Sequence, residues 1–241
     1  MTNKRSVSSL QLGVLGACLL SLSAVAQIRI YDNSVNDLVL RYTPPTTGTP
    51  GTLAEVGNQV DVVRATLNNQ YLSTFNFEFY GTNTIHPGSF SGSISAQVRF
   101  YLNDGSLVSG YNSPSTMFYN SGVFAVSGGP TARSTIWLTE GVDWASGGLY
   151  LPSSEFTWTV QFSGLGAGDE VGVDIYGPPV VGNAFDDMWV NNGTPWQLLS
   201  YGSGSNVIAA RFDSIPEPST VALLVLGGLG VFIANRRNRI S

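Results

Sequence analysis

The chain has 241 residues, 43% of them hydrophobic and only 11% charged, which supplies a sizeable core and excludes wholesale disorder. Between Gln27 and Ser214 six arginines face fifteen carboxylates, a net charge of about −9, so this stretch repels phosphate backbones and anionic lipid and has no nucleic-acid partner. One cysteine, Cys18, and one histidine, His86, exclude a disulfide framework, a conventional zinc site and a histidine-based triad.

At the N-terminus Lys4 and Arg5 precede an apolar run from about Leu10 to Val25, which closes on Ala24-Val25-Ala26. A positive start, a short apolar stretch and small residues at Ala24 and Ala26 are what a secretion signal needs, because the peptidase pocket admits only small side chains there. Residues 1–26 are therefore expected to be a signal peptide, cut after Ala26 by signal peptidase. Leu15-Gly16-Ala17-Cys18 resembles a lipoprotein box, but the chain after Cys18 stays apolar to Ala26, where a lipoprotein continues into a polar linker.

From Gln27 onward alternation dominates and no helical period or internal repeat emerges. Phe75-Asn76-Phe77-Glu78-Phe79 sets three aromatics on one face and two polar side chains on the other. Ser95 to Leu102 repeats the pattern and closes with the turn Asn103-Asp104-Gly105. Residues 135–138, 156–162, 171–176, 188–190, 196–199 and 207–212 read as further strands. Turn clusters at Pro44 to Gly51, Ser127 to Pro130 and Gly177-Pro178-Pro179 separate them. About a dozen strands without crossover helices predict an all-β antiparallel β-sandwich, jelly-roll-like, over residues 27–214.

Several motifs in this stretch carry candidate chemistry. Gly164-Leu165-Gly166-Ala167-Gly168-Asp169 has the glycines of a dinucleotide loop, but a strand follows it instead of a helix, and it reads as a hairpin turn. His86 sits in a loop-like run and reads as a surface residue; Asn192-Gly193-Thr194 reads as a turn. Asp143, Glu155, Asp169, Glu170, Asp174, Asp186 and Asp187 form the pool from which a glycosidase pair would come, and no catalytic motif is readable among them. Flat apolar faces for sugar rings are available from five tryptophans. Trp158, alternating with threonine, reads as core, whereas Trp144 and Trp196 lie in Gly/Pro-containing loop contexts and are the candidate glycan contacts. Phe185-Asp186-Asp187-Met188-Trp189-Val190 resembles the Asp-Asp strand late in many carbohydrate-binding jelly rolls. That resemblance implies a structural calcium at Asp186 and Asp187, an oxygen-rich pair suited to the ion.

The C-terminus runs Pro216-Glu217-Pro218-Ser219-Thr220, then an apolar span over 221–234, then a basic end, 235–241, with Arg236, Arg237 and Arg239. Fourteen residues of helix reach roughly 21 Å, short of the ~30 Å hydrocarbon core. The arginines are a stop-transfer signal that stays cytoplasmic. The two prolines keep the motif extended, the form a peptidase cleft grips. In this order and spacing the segment 215–241 resembles the PEP-CTERM sorting signal of Gram-negative bacteria. The resemblance implies processing by an exosortase near Pro216-Glu217-Pro218, transient anchoring in the inner membrane through a short C-terminal transmembrane helix, and a link to biofilm and exopolysaccharide. The expected function is that of an exported cell-surface or matrix protein, non-catalytic, structural or polysaccharide-binding. A polysaccharide-cleaving enzyme using paired carboxylates and a protein-binding adhesin are the alternatives.

Overall fold

The structure is a computed structural model and describes residues 27–63, 71–193, 195–200 and 207–215. The candidates Ala24, Ala26, Pro216, Glu217, Pro218, Arg236, Arg237 and Arg239, with the signal peptide and the tail helix, lie outside the described residues. Every regular element among the described residues is a β-strand. In chain order these are β1 (Ile28–Asp32), β2 (Asp37–Tyr42), β3 (Glu55–Asp61), β4 (Tyr71–Asn83) and β5 (Ser95–Tyr101). Next come β6 (Leu107–Val108), β7 (Tyr111–Asn112), β8 (Met117–Ala125), β9 (Thr131–Thr139), β10 (Leu149–Tyr150) and β11 (Glu155–Ser163). The last are β12 (Asp169–Tyr176), β13 (Asn183–Asn191), β14 (Gln197–Leu199), β15 (Val207–Ile208) and β16 (Ala210–Ile215).

Pairing is antiparallel throughout the named strands. One sheet has eight strands, in the order β1-β16-β4-β12-β15, with β2 beside β12 and both β9 and β10 beside β4. The other has six, in the order β14-β13-β3-β11-β5-β8, and β6 with β7 makes a separate two-stranded ribbon. Several successive strands change sheet: β3 and β5 lie in the six-stranded sheet and β4 between them in the other, and β11, β12, β13 and β16 alternate likewise, whereas β5 and β8 pair within one sheet.

Period-2 alternation decides which face of each strand is buried. In β4 the rings of Phe75, Phe77 and Phe79 turn inward; in β5 Ala96, Val98 and Phe100 do; in β11 Phe156, Trp158, Val160 and Phe162 do. Phe75 lies at the centre, with ring centroids 5.2 Å from Phe100, 5.0 Å from Trp158 and 4.6 Å from Phe212. Those partners come from both sheets, so the two inner faces close on one another through interlocked aromatics. Each such pair contributes about 0.5–1.5 kcal/mol beyond its buried area.

The glycine-rich run 164–168 joins β11 of one sheet to β12 of the other. It is therefore an inter-sheet crossing, and the hairpin expected from sequence is corrected. The glycines are needed for close approach: a Cβ at Gly92 would lie 2.0 Å from the Gly164 carbonyl oxygen and 2.4 Å from the Gly166 nitrogen. The crossing is fastened by the Asp169 carboxylate. It accepts from the N–H groups of Ser91 (2.9 Å), Gly92 (2.8 Å) and Gly166 (2.8 Å), and from the Asn83 amide (2.6 Å). Burial pushes this carboxyl up, but the surrounding N–H donors outweigh it and hold Asp169 below the ordinary carboxylate range.

Candidate functional site: a polar cleft on the six-stranded sheet

The outward face of the six-stranded sheet is built from the residues that alternate with the core: Glu55, Gln59 and Asp61 of β3, Glu155, Thr157, Thr159 and Gln161 of β11, and Gln97, Arg99 and Tyr101 of β5. Its middle is locked by Glu55, which is 6% exposed. The Arg99 guanidinium lies 2.8 Å from it, the Tyr101 hydroxyl donates to it at 3.0 Å, and the Thr159 hydroxyl donates as well. Burial, with the neighbouring Glu55 charge, pushes the Tyr101 hydroxyl up and keeps it a donor.

Beyond this cluster the β6–β7 ribbon overhangs the strand ends and leaves a cleft of about 260 Å³, lined by Gln59, Asn103, Leu107, Gly110, Tyr111, Asn112 and Glu155. The ribbon can fold back so tightly because its two turn residues, Ser109 and Gly110, both have positive φ (52° and 90°), the requirement of a two-residue turn matched to strand twist. Its base is held by Asp104, whose carboxylate accepts from the Thr116 N–H at 2.8 Å and hydroxyl at 2.6 Å; those bonds hold Asp104 below the ordinary carboxylate range.

The lining is suited to a hydroxyl-rich ligand. Tyr111 is 47% exposed, and its ring is steadied edge-on by Phe185 at 4.5 Å, so a flat apolar face stands ready at the mouth. Asn103 accepts from the Thr157 hydroxyl at 2.6 Å, while its amide nitrogen is sheltered and has no partner. Gln59 donates to Glu155, and Asp61 sits directly opposite Glu155 in the strand register. Two exposed carboxylates thus face each other across β3 and β11, and among the described residues no cation pairs with Glu155 or Asp61.

Of the sequence candidates Glu155 lines the cleft, and the others fall elsewhere. Trp144 is buried, 9% exposed, with its ring edge-on to Tyr119 at 5.6 Å, so the expected exposure is corrected: the turn after β9 tucks it into the core. Trp196 is half-buried and stands edge-on to Tyr101 at 5.6 Å. Trp158 is fully buried, as its alternation with threonine implied. The exposed tryptophan is Trp137, 52% accessible on β9, with the Arg211 guanidinium 6.0 Å from its ring centre. Asp186 is exposed and Asp187 half-buried on β13, in the stretch between Ala184 and Met188 where the register with β3 shifts. The Asp187 carbonyl already accepts from the Asn58 amide at 3.1 Å. Among the described residues no three His, Cys, Asp or Glu side chains gather where they could share a metal ion. His86 is exposed, in the loop after β4.

A β body with a polar surface cleft, followed at residue 215 by a Pro-Glu-Pro segment, an apolar span and an arginine cluster, is the layout of an exported protein with a C-terminal sorting signal. The signal is of a particular kind: the family model described as the PEP-CTERM protein-sorting motif matches residues 214–237. That motif marks an exported protein handled by an exosortase, with a membrane-anchoring C-terminal signal, and the match covers the tail alone. No curated protein and no solved structure matches the chain.

Proposed function

We propose that this protein is a non-catalytic polysaccharide-binding component of the surface or extracellular matrix of a Gram-negative bacterium, delivered there by exosortase processing and working through a jelly-roll-like sandwich. The observation that carries the proposal is the cleft under the β6–β7 ribbon: a steadied, half-exposed tyrosine beside three side-chain amides and one carboxylate. Sugar recognition combines ring stacking on an aromatic face with hydrogen bonds to hydroxyls from amides and carboxylates. Glu155 is the one carboxylate in the cleft lining, and its neighbour Asp61 lies on the adjacent strand of the same sheet rather than across the cleft from it, which favours binding over a two-carboxylate hydrolytic mechanism.

Affinity electrophoresis of the full-length protein in gels containing bacterial exopolysaccharides, run with calcium and again with a chelator, tests this reading. Retarded migration in at least one polysaccharide is the expected outcome. Loss of retardation in chelator would show that calcium supports binding, and survival of that calcium dependence in Asp186→Asn would then place the ion away from Asp186 and Asp187. Unchanged migration across a broad panel would refute glycan binding and favour an adhesin or coat role.

A further inference from the structure

We infer that the ligand of this cleft is a polysaccharide carrying free amino groups, and that Glu155, facing Asp61, reads the ammonium; the inference rests on the glycan-binding reading above. Like charges directly opposite one another on antiparallel strands destabilise the pair, and Asp61 and Glu155 occupy that relation, Glu155 in the cleft lining and Asp61 on the adjacent strand. Both are exposed, and among the described residues the one side-chain hydrogen bond to either carboxylate is from the neutral Gln59 amide to Glu155. A ligand ammonium placed between them relieves the repulsion and gains two charge-assisted hydrogen bonds.

Among the described residues the opposite ligand class, a uronate or sulfated chain, has no uncommitted arginine to meet. The five described arginines are all committed to carboxylates: Arg29 to Asp32 and Asp213, Arg41 to Asp174, Arg99 to Glu55, Arg133 to Asp37 and Glu78, and Arg211 to Asp213. None of them lines the cleft. Asn103 lies in the same lining, its amide nitrogen sheltered and without a partner. Tyr111 supplies the stacking face.

The experiment is calorimetric titration of the full-length protein, in mild detergent at about physiological salt so that non-specific attraction to an acidic protein is screened. The probes are linear hexamers of glucosamine, glucose and mannuronate, and calcium chloride alone. The glucosamine hexamer is expected to bind with one-to-one stoichiometry at least about tenfold more tightly than the glucose hexamer, and the mannuronate hexamer not at all. Glu155→Gln should erase the difference between the glucosamine and glucose hexamers while glucose affinity persists; Asp61→Asn should narrow it; Glu140→Gln, outside the cleft, should leave it intact. Equal binding of glucosamine and glucose, or tighter binding of mannuronate, overturns the inference and leaves the glycan-binding reading standing. Binding of none of the sugars overturns both. Calcium binding that Asp61→Asn abolishes overturns the inference by making the facing pair a cation site.

Discussion

Replacing Asp169 by asparagine tests how the two sheets are fastened at the 164–168 crossing. The carboxylate has one oxygen bound by Ser91 and Asn83 and the other by Gly92 and Gly166. Asparagine retains one acceptor oxygen, so whichever way the amide is turned, its NH2 group faces two N–H donors that have lost their partner. The donors are part-buried and that of Ser91 is exposed, so water matches them in part and the expected loss is roughly 1–3 kcal/mol. Urea unfolding followed by tryptophan fluorescence at neutral pH measures it. The pH dependence supplies the sign: the folded-state pKa of Asp169 lies below its unfolded value of about 3.9, so its stabilisation is complete above that value and is lost as pH falls through the folded pKa. The gap between wild type and Asp169→Asn should therefore be widest at pH 7 and shrink below about pH 4. A gap under about 0.5 kcal/mol, or one that stays constant from pH 7 to pH 3, would refute the reasoning.

Other consequences follow from the same geometry. Gly92→Ala should lower stability by about 1–3 kcal/mol, since its methyl would meet the Gly164 carbonyl at 2.0 Å; a variant that melts with the wild type would show that the loops separate freely. Phe75→Ala should cost about 3–5 kcal/mol in denaturant unfolding, because the ring touches aromatics from both sheets, and a cost near 1 kcal/mol would mean that the core refills the space. Acrylamide should quench a tryptophan fraction that Trp137→Phe largely removes, as Trp137 is exposed while Trp144, Trp158 and Trp189 are buried; an unchanged quenching profile would contradict that placement.

The long alternating strands were legible before any coordinates: β4, β5, β9, β11, β12 and β13 contain the segments that alternation marked. β1, β2, β3 and β8 were not, and for β2 and β3 the reasons are identifiable. In β2 the apolar residues Leu38, Val39 and Leu40 are consecutive and all exposed, and Val39 has φ 58°, so period 2 is broken. In β3 Gly57 and Asn58 interrupt the pattern; Asn58 is buried because its amide donates to the Asp187 carbonyl and its oxygen accepts from the Ile208 N–H at 2.9 Å. The two tryptophans chosen by loop context illustrate a different limit. Trp144 is drawn into the core by Tyr119, a contact set by which strand lies opposite, and no local pattern encodes it. The cleft was illegible for the same reason: Gln59, Asn103, Tyr111 and Glu155 come from four separate segments and meet through sheet register. The sorting signal, by contrast, is read entirely from contiguous residues, and sequence alone located it.

The most direct test of the account is affinity electrophoresis of Tyr111→Ala beside the wild type, in a gel containing whichever polysaccharide retards the wild-type protein. Tyr111 stands at the cleft mouth, half-exposed and outside the core, so the variant should keep its melting temperature while losing about tenfold in affinity and most of its retardation. A variant that melts normally and is retarded as strongly as the wild type would contradict the claim that this cleft is where the protein meets its ligand.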